Sequence, residues 1–289
     1  MQQSQSITRK SASNLALAFV LLPKPKREGM SALYAFCREV DDVADDESVP
    51  PETRRRELAL WREDVRRACD GGAPEKEVNR ELQPFIQRHG LSFLLFDELI
   101  KGVEMDLDIK RYASYERLDE YCYRVASVVG LLSIEIFGYQ DPRCREYATF
   151  LGKALQLTNI LRDVRTDAER GRIYLPQEEM ARFKVKEEEI LAHQYSTRFR
   201  ELARSVAAQA RQFYRKAGES LPACDRRSMA AAELMGSVYW RLLEKLEGKE
   251  FNVFGPVPTR LSRGQKAALI LRTWVRLISG TMVPNYGAP

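Results

Sequence analysis

Two acidic clusters hold the residues of this chain most suited to chemistry. The first is Asp41-Asp42-Val43-Ala44-Asp45, and the second comprises Asn159, Asp163 and Asp167. Side chains three, four or eight positions apart on a helix project the same way. Like charges stacked like that repel, so the arrangement costs stability unless something cationic sits between them. Two such patches facing each other across a cavity suit Mg2+ ions that carry a phosphate ligand. The chemistry implied is that of an enzyme acting on a diphosphate.

The neighbours of each cluster sharpen that reading. Arg38, Asp41, Asp42 and Asp45 follow i, i+3, i+4, i+7 spacing, and Tyr34 lies one turn before Arg38. One helix stripe thus offers a phenol, a phosphate-pairing guanidinium and three carboxylates. The bland alternative is a solvated acidic helix end leading into the loop at Pro50. The second cluster ends the run Phe150 to Asp163, which is apolar over most of its circumference and marks a buried helix. Gln156, Asn159, Asp163 and Asp167 share a face of it. A buried carboxylate needs a cation, although a satisfied interhelical polar network would also fit. Arg162, Arg165, Arg170, Arg172 and Tyr174 follow at once. Arginine pairs bidentately with phosphate, so acid-bound metal beside arginine makes a complementary diphosphate cradle.

The elements that must position these groups are helices. Long segments with three- and four-residue apolar spacing, such as Leu91 to Leu107, Tyr115 to Phe137 and Arg145 to Asp167, are separated by sparse proline and glycine. Alternating strand patterns and hairpin signals are nearly absent. No composition shift or repeat marks a boundary. The pattern predicts one all-α domain over residues 1–289, a bundle whose binding sites form between helices.

Composition excludes several function classes. The 289 residues are 44% hydrophobic and 30% charged, with a net charge of +5, as in an ordinary globular protein with a sizeable core. Basic residues fall in short groups without aromatic interleaving, so no nucleic-acid partner is expected. Five cysteines without CxxC spacing argue for reduced thiols in a cytoplasmic protein, against zinc or a disulfide framework. With only His89 and His193, a histidine triad or histidine-rich metal site is not expected. Residues 9 to 22 imitate a signal peptide, but Pro23-Lys24-Pro25-Lys26 replaces a cleavage site, so a short buried helix is expected. No uncharged apolar stretch reaches the ~18 residues that span a bilayer. Ala267 to Ile278, interrupted by Arg272 and Arg276, reads as an amphipathic helix able to rest on a membrane surface.

The ordered motifs resemble the squalene/phytoene synthase family, the head-to-head prenyltransferases. They are Ser11-Ala12-Ser13-Asn14 with Phe19 and Leu21-Leu22-Pro23, then Ala32 to Arg38 leading into Asp41-Asp42-x-x-Asp45. Tyr121-Cys122 and Val125-Ala126-x-x-Val129-Gly130 follow, then Gln156 to Asp163 and Gly171 to Pro176. The resemblance covers nearly the whole chain. It implies an isoprenoid-synthase type of helical bundle with a central apolar channel. It also implies two or three Mg2+ ions held by Asp41, Asp45, Asn159 and Asp163, with Asp42 and Asp167 assisting. Ser11, Ser13, Asn14, Tyr34, Arg38, Gln156 and Arg162 stand where the family contacts diphosphates, with Arg172 and Tyr174 as helpers. The implied reaction ionises one allylic diphosphate, adds the double bond of a second, and closes a cyclopropane by proton loss.

One departure bears on the last step. Many members carry Tyr immediately before the Val-Ala pair, where this chain has Arg124 with Tyr123 before it, and Phe251 stands near a diphosphate-contacting Tyr of some relatives. With Gly102 to Leu107, Arg124 is closest to bacterial members that form presqualene diphosphate. The expectation is therefore two farnesyl diphosphates joined to presqualene diphosphate in a hopanoid or squalene route, without NADPH. Prenyl diphosphates are the expected substrates, with downstream squalene-forming enzymes as partners and the inner face of the cell membrane as a peripheral contact. The rivals are phytoene or dehydrosqualene synthase, a non-catalytic assembly protein of the same fold, and a head-to-tail elongating enzyme. The last would normally show Asp-Asp-x-x-Asp as its second motif.

Overall fold

The computed structural model describes residues 1–10, 18–281, 284 and 286, and those residues form a helical bundle. In chain order the helices are α1 Gln2–Lys10, α2 Lys24–Asp45, α3 Pro51–Cys69, α4 Glu77–His89, α5 Phe93–Asp108 and α6 Tyr115–Cys122. A π-helical segment, Tyr123–Ser127, joins α6 to α7 Val128–Phe137. Then come α8 Cys144–Glu169, α9 Gln177–Arg182, α10 Glu187–Leu191, α11 Thr197–Ser220, α12 Ala230–Gly248 and α13 Arg263–Ser279.

Local sequence sets the boundaries. Proline stands in the first turn of α2 and of α3, where its missing N–H is no loss. Ser92, Ser114, Ser196 and Ser262 accept backbone N–H groups at the starts of α5, α6, α11 and α13. Gly90 and Gly280 close α4 and α13 in the left-handed conformation.

The long helix α8 packs lengthwise on α11 and also meets α7, α12 and the π segment, while α2 lies against α4, α5 and α7. Phe36 at the heart of α2 takes Phe96 edge-on at 5.1 Å and Trp61 at 5.8 Å. Burying such a side chain contributes about 1.5–3 kcal/mol. Among the described residues the cysteines are unpaired, as expected for thiols.

One expectation needs correction. Tyr115 to Phe137 is not a continuous α-helix, because Tyr123–Ser127 adopts π geometry. That segment is squeezed from both sides. A Cβ added at Gly102 would lie 2.6 Å from the Arg124 Cβ, and one at Gly152 would lie 2.6 Å from the Ser127 Cα. The missing side chains let α5 and α8 approach it, and the close backbone contact replaces ordinary helix packing. Of the buried helix expected over residues 9 to 22, the described parts are the end of α1 at Lys10, a helical Ala18 and a 3-10 turn at Phe19–Leu21. Residues 11–17, including Ser11, Ser13 and Asn14, lie outside the described residues.

Candidate active site

The two acidic clusters do face one another. A cavity of about 310 Å³ is lined by Tyr34, Arg38 and Asp41 from α2 and by Gln156 and Asn159 from α8. Leu99, Val103 and Asp106 of α5, with Tyr121, Val125 and Val129, close the other side. Val129 also lines a second, almost wholly apolar cavity of about 100 Å³ bounded by Phe19, Met30, Leu151, Leu155 and Met235. A polar, acid-rich chamber thus adjoins a hydrocarbon one, as the expected apolar channel requires.

The carboxylates of the chamber act on one another. Asp41 is pushed up to about 6, by desolvation first and then by Asp45, with Arg38 opposing and Asp106 and Asp42 adding. Asp167 is pushed up to about 8 by desolvation and Asp163, against Arg172 and Arg170. Asp106 is also raised, chiefly by burial, while Tyr174, Arg172 and Tyr121 pull the other way. Acids from three helices therefore share one low-dielectric space, where each makes its neighbours harder to ionise.

Guanidinium groups balance part of that charge. Arg170 and Arg172 donate to the two oxygens of Asp45 at 2.9 and 3.0 Å. Arg162 forks onto Asp163, with Nε at 2.7 Å from Oδ1. Arg38 pairs with Asp41 at 3.3 Å and with Asp42 at 2.5 Å. Among the described residues no three carboxylate, imidazole or thiol groups are gathered closely enough to hold a metal ion as they stand. The clefts are instead bridged by arginines of the kind that bind phosphate.

Local turns put those arginines in place. Gly171, at φ +68°, ends α8, and the Arg172 N–H returns to the Asp167 carbonyl at 2.8 Å. Ile173 then pairs with the strand-like stretch at Arg111, whose guanidinium donates to the Gly171 carbonyl at 2.6 Å. This docks Tyr174 on the end of α5, where its hydroxyl donates to Asp106 at 2.7 Å and Tyr121 donates to the other oxygen at 3.0 Å.

The donor chemistry fits Mg2+. The oxygens available from Asp41, Asp45, Asn159, Asp163 and Asp167 form the hard donor set such an ion takes. The side-chain oxygen of Asn159 is buried without a hydrogen-bond partner, a costly state that a cation would relieve.

The structure sorts the sequence candidates. Tyr34, Arg38, Asp41, Gln156 and Asn159 line the chamber. Tyr174 is tied to it through Asp106, Asp45 through its repulsion of Asp41, Arg172 through Asp45, and Asp167 and Asp163 through the mutual repulsion that reaches Asp106, whereas Arg162 pairs with Asp163 and is not among the lining residues. Asp42 stands apart on the exposed edge of α2, paired with Arg38. Arg124 does not enter the chamber: its guanidinium goes to Glu98 and Glu120, each at 3.1 Å. Phe251 is buried at φ +57° and is not among the lining residues. Sequence reasoning missed Asp106 and gave Tyr121 no role in the site. A signal existed, since Leu99, Val103 and Asp106 form one helical stripe with a single acid at its end.

Known proteins resemble the chain along most of its length, in sequence and in fold. The family model described as squalene/phytoene synthase matches residues 8–265. The presqualene diphosphate synthase of Rhodopseudomonas palustris is 35% identical over 90% of this chain and 92% of its own. The phytoene synthase of Arthrospira platensis is 36% identical over 88% of this chain and 87% of its own. A crystal structure of a dehydrosqualene synthase in complex with ligand superposes with a TM-score of 0.84 at 30% identity, covering 96% of this chain and 95% of that one. The architecture is that of the isoprenoid-synthase type.

Proposed function

The chain belongs to the squalene/phytoene synthase family, and on that premise we propose that it joins two farnesyl diphosphates head to head into presqualene diphosphate. The observation that carries this reading is the acid-and-arginine chamber opening beside an apolar cavity. Asp41, Asp45, Asn159 and Asp163, with Asp167 assisting, would hold Mg2+, which supplies neutralising charge for a leaving diphosphate, while Asp42 contributes through its pair with Arg38. Arg38, Arg162 and Arg172 exchange their carboxylate partners for phosphate oxygens, a like-for-like trade of anions. Tyr34 and Gln156 orient the head group, and Ser11, Ser13 and Asn14 are assigned to it on the family pattern. The apolar cavity holds the prenyl tail and excludes water, which would otherwise trap the allylic cation. The second donor's double bond attacks that cation, a proton leaves, and the products are a thirty-carbon cyclopropyl diphosphate, one free diphosphate and one proton. No hydride moves, so NADPH is not required.

The test is purified protein with Mg2+ and either farnesyl or geranylgeranyl diphosphate, without NADPH, read by mass spectrometry beside an Asp41→Ala/Asp163→Ala control. A thirty-carbon cyclopropyl diphosphate absent from the control supports the reading. The similarity to a phytoene synthase favours a second reading, in which a forty-carbon or fully rearranged polyene forms. No turnover of either substrate refutes both and leaves an assembly role.

The same reading places the protein in the cytoplasm at the inner face of the cell membrane, handing an apolar product to a squalene-forming enzyme. Among the described residues no helix is long and apolar enough to cross a membrane. Leu271, Trp274, Val275 and Ile278 form an exposed apolar stripe on α13, whose edges carry Arg263 and Arg272. Such a face rests on anionic lipid. Flotation with phosphatidylglycerol vesicles, lost in Trp274→Glu, checks it; absence of flotation in the unaltered protein removes it.

A further inference from the structure

At the far end of the apolar cavity lies a polar cluster that the proposed chemistry does not use. Tyr147 is fully buried and its ring forms part of the cavity wall. Its hydroxyl donates to Glu233 Oε1 at 2.7 Å, and the hydroxyl of Tyr286 donates to the same oxygen. Glu233 is only 3% exposed and sits on α12 directly after Ala231 and Ala232, which also line the cavity. Tyr286 fills a slot that exists because residue 236 is glycine, where an added Cβ would lie 2.4 Å from the tyrosine ring. Its ring meets Tyr214 edge-on at 5.5 Å, and Tyr214 in turn contacts Thr158 of α8 at 3.2 Å. Tyr286 lies beyond residues 8–265, the span that the family model matches.

Helix α8 relates this cluster to the chamber. Asp163 and Tyr147 are sixteen residues apart on one continuous helix, roughly 24 Å along it. Between them Leu155, Gly152, Leu151 and Ala148 face the apolar cavity in order. A diphosphate held near Asp163 therefore sends its hydrocarbon tail toward Tyr147. Left alone, a tyrosine in an apolar wall would turn its hydroxyl to whatever acceptor it found. Here Glu233 supplies the acceptor on the side away from the cavity, and Tyr286 fixes Glu233.

Resting on the prenyl-diphosphate reading above, we propose that Tyr147 is the floor of the hydrocarbon channel and sets the longest prenyl chain accepted. Glu233 and Tyr286 are positioning residues that hold this floor in place. The consequence is a link between chain-length selection and a residue near the C-terminus.

The test uses full-length protein with unreactive farnesyl and geranylgeranyl thiodiphosphates, with affinities measured by calorimetry. In Tyr147→Ala the affinity ratio moves at least ~10-fold toward the twenty-carbon ligand, as when a pocket stops excluding extra methylenes. Tyr147→Leu moves it the same way by less and serves if the alanine variant does not fold. Tyr286→Ala and Glu233→Ala shift the ratio likewise. Glu233→Gln, whose amide oxygen still accepts both phenols, keeps it near the original, which a merely structural role does not predict. An unchanged ratio in folded Tyr147→Leu and Tyr286→Ala overturns the proposal while leaving the diphosphate reading intact. Failure of the unaltered protein to bind either ligand overturns both.

Discussion

Replacing Glu233 with glutamine should change how stability depends on pH. The carboxyl is pushed up to about 7, from an ordinary 4.5, by burial first, while Tyr286, Tyr147, Arg276 and Arg226 pull the other way. Below pH 4.5 the folded and unfolded chains both keep the proton, and its contribution to stability is fully present. Between 4.5 and about 7 the unfolded chain releases a proton that the folded chain retains. Stability therefore falls as pH rises through this window and levels off above it. At 1.36 kcal/mol per pH unit the loss amounts to about 3 kcal/mol. Asp41 and Asp167 also titrate at raised values, but they do so in both proteins and cancel in the difference. Urea denaturation of wild type and Glu233→Gln at half-unit steps from pH 4.5 to 8 gives that difference directly. The variant should gain on wild type by about 3 kcal/mol across the range, with most of the change between pH 5 and 7. A difference that stays flat, or that favours wild type as pH rises, refutes the claim that a buried protonated carboxyl joins the two phenols.

Gly152→Ala places its Cβ 2.6–2.8 Å from backbone atoms of Ala126 and Ser127; it should cost about 1–3 kcal/mol. Gly248→Ala, which meets nothing within 4 Å, should cost nothing, and paired thermal melts check both. Asn159→Leu removes the orphaned buried oxygen, so the ligand-free protein should hold or gain roughly 1 kcal/mol of stability. Its turnover with Mg2+ should fall at least ~100-fold; loss of stability with retained turnover would contradict the ligand role. Arg172→Lys exchanges a planar fork for a point charge beside Asp45, and kcat/KM should drop about 10–100-fold; an unchanged value would place Arg172 outside the reaction.

The acid clusters were legible because helical spacing alone brings Asp41, Asp45, Asn159 and Asp163 to defined faces. The buried face of α8 was legible for the same reason, from its near-continuous apolar run. What spacing does not encode is reach across the bundle. The clamp of Arg170 and Arg172 on Asp45 depends on the left-handed turn at Gly171 and on the bridge at Arg111, neither of which has a period. Asp106 escaped notice because a single acid in an apolar stripe looks like a solvated helix end. Arg124 was read as a change inside the site, and the π segment turns it toward Glu98 and Glu120. Tyr286 belongs to no periodic element, so its buried place against Gly236 becomes visible only in three dimensions.

The π segment has a consequence for how this wall of the chamber is built. Tyr121, Val125 and Val129 all line the polar cavity, although they are spaced by fours. On an uninterrupted α-helix each step of four drifts by about 40°, so the third residue would have swung well off the first one's bearing. The wider turn at Tyr123–Ser127 takes up that drift and keeps the three in phase. The segment is thus a phase corrector, carrying one residue more than an α-helical turn needs. Loss of one residue there would let the wide turn close into regular α-helix, with Val129 then seven positions after Tyr121 and within about 20° of its bearing. Deletion of one residue from the segment thus removes the wide turn and spares the phase of α7, whereas an insertion would turn the whole wall by about 100°.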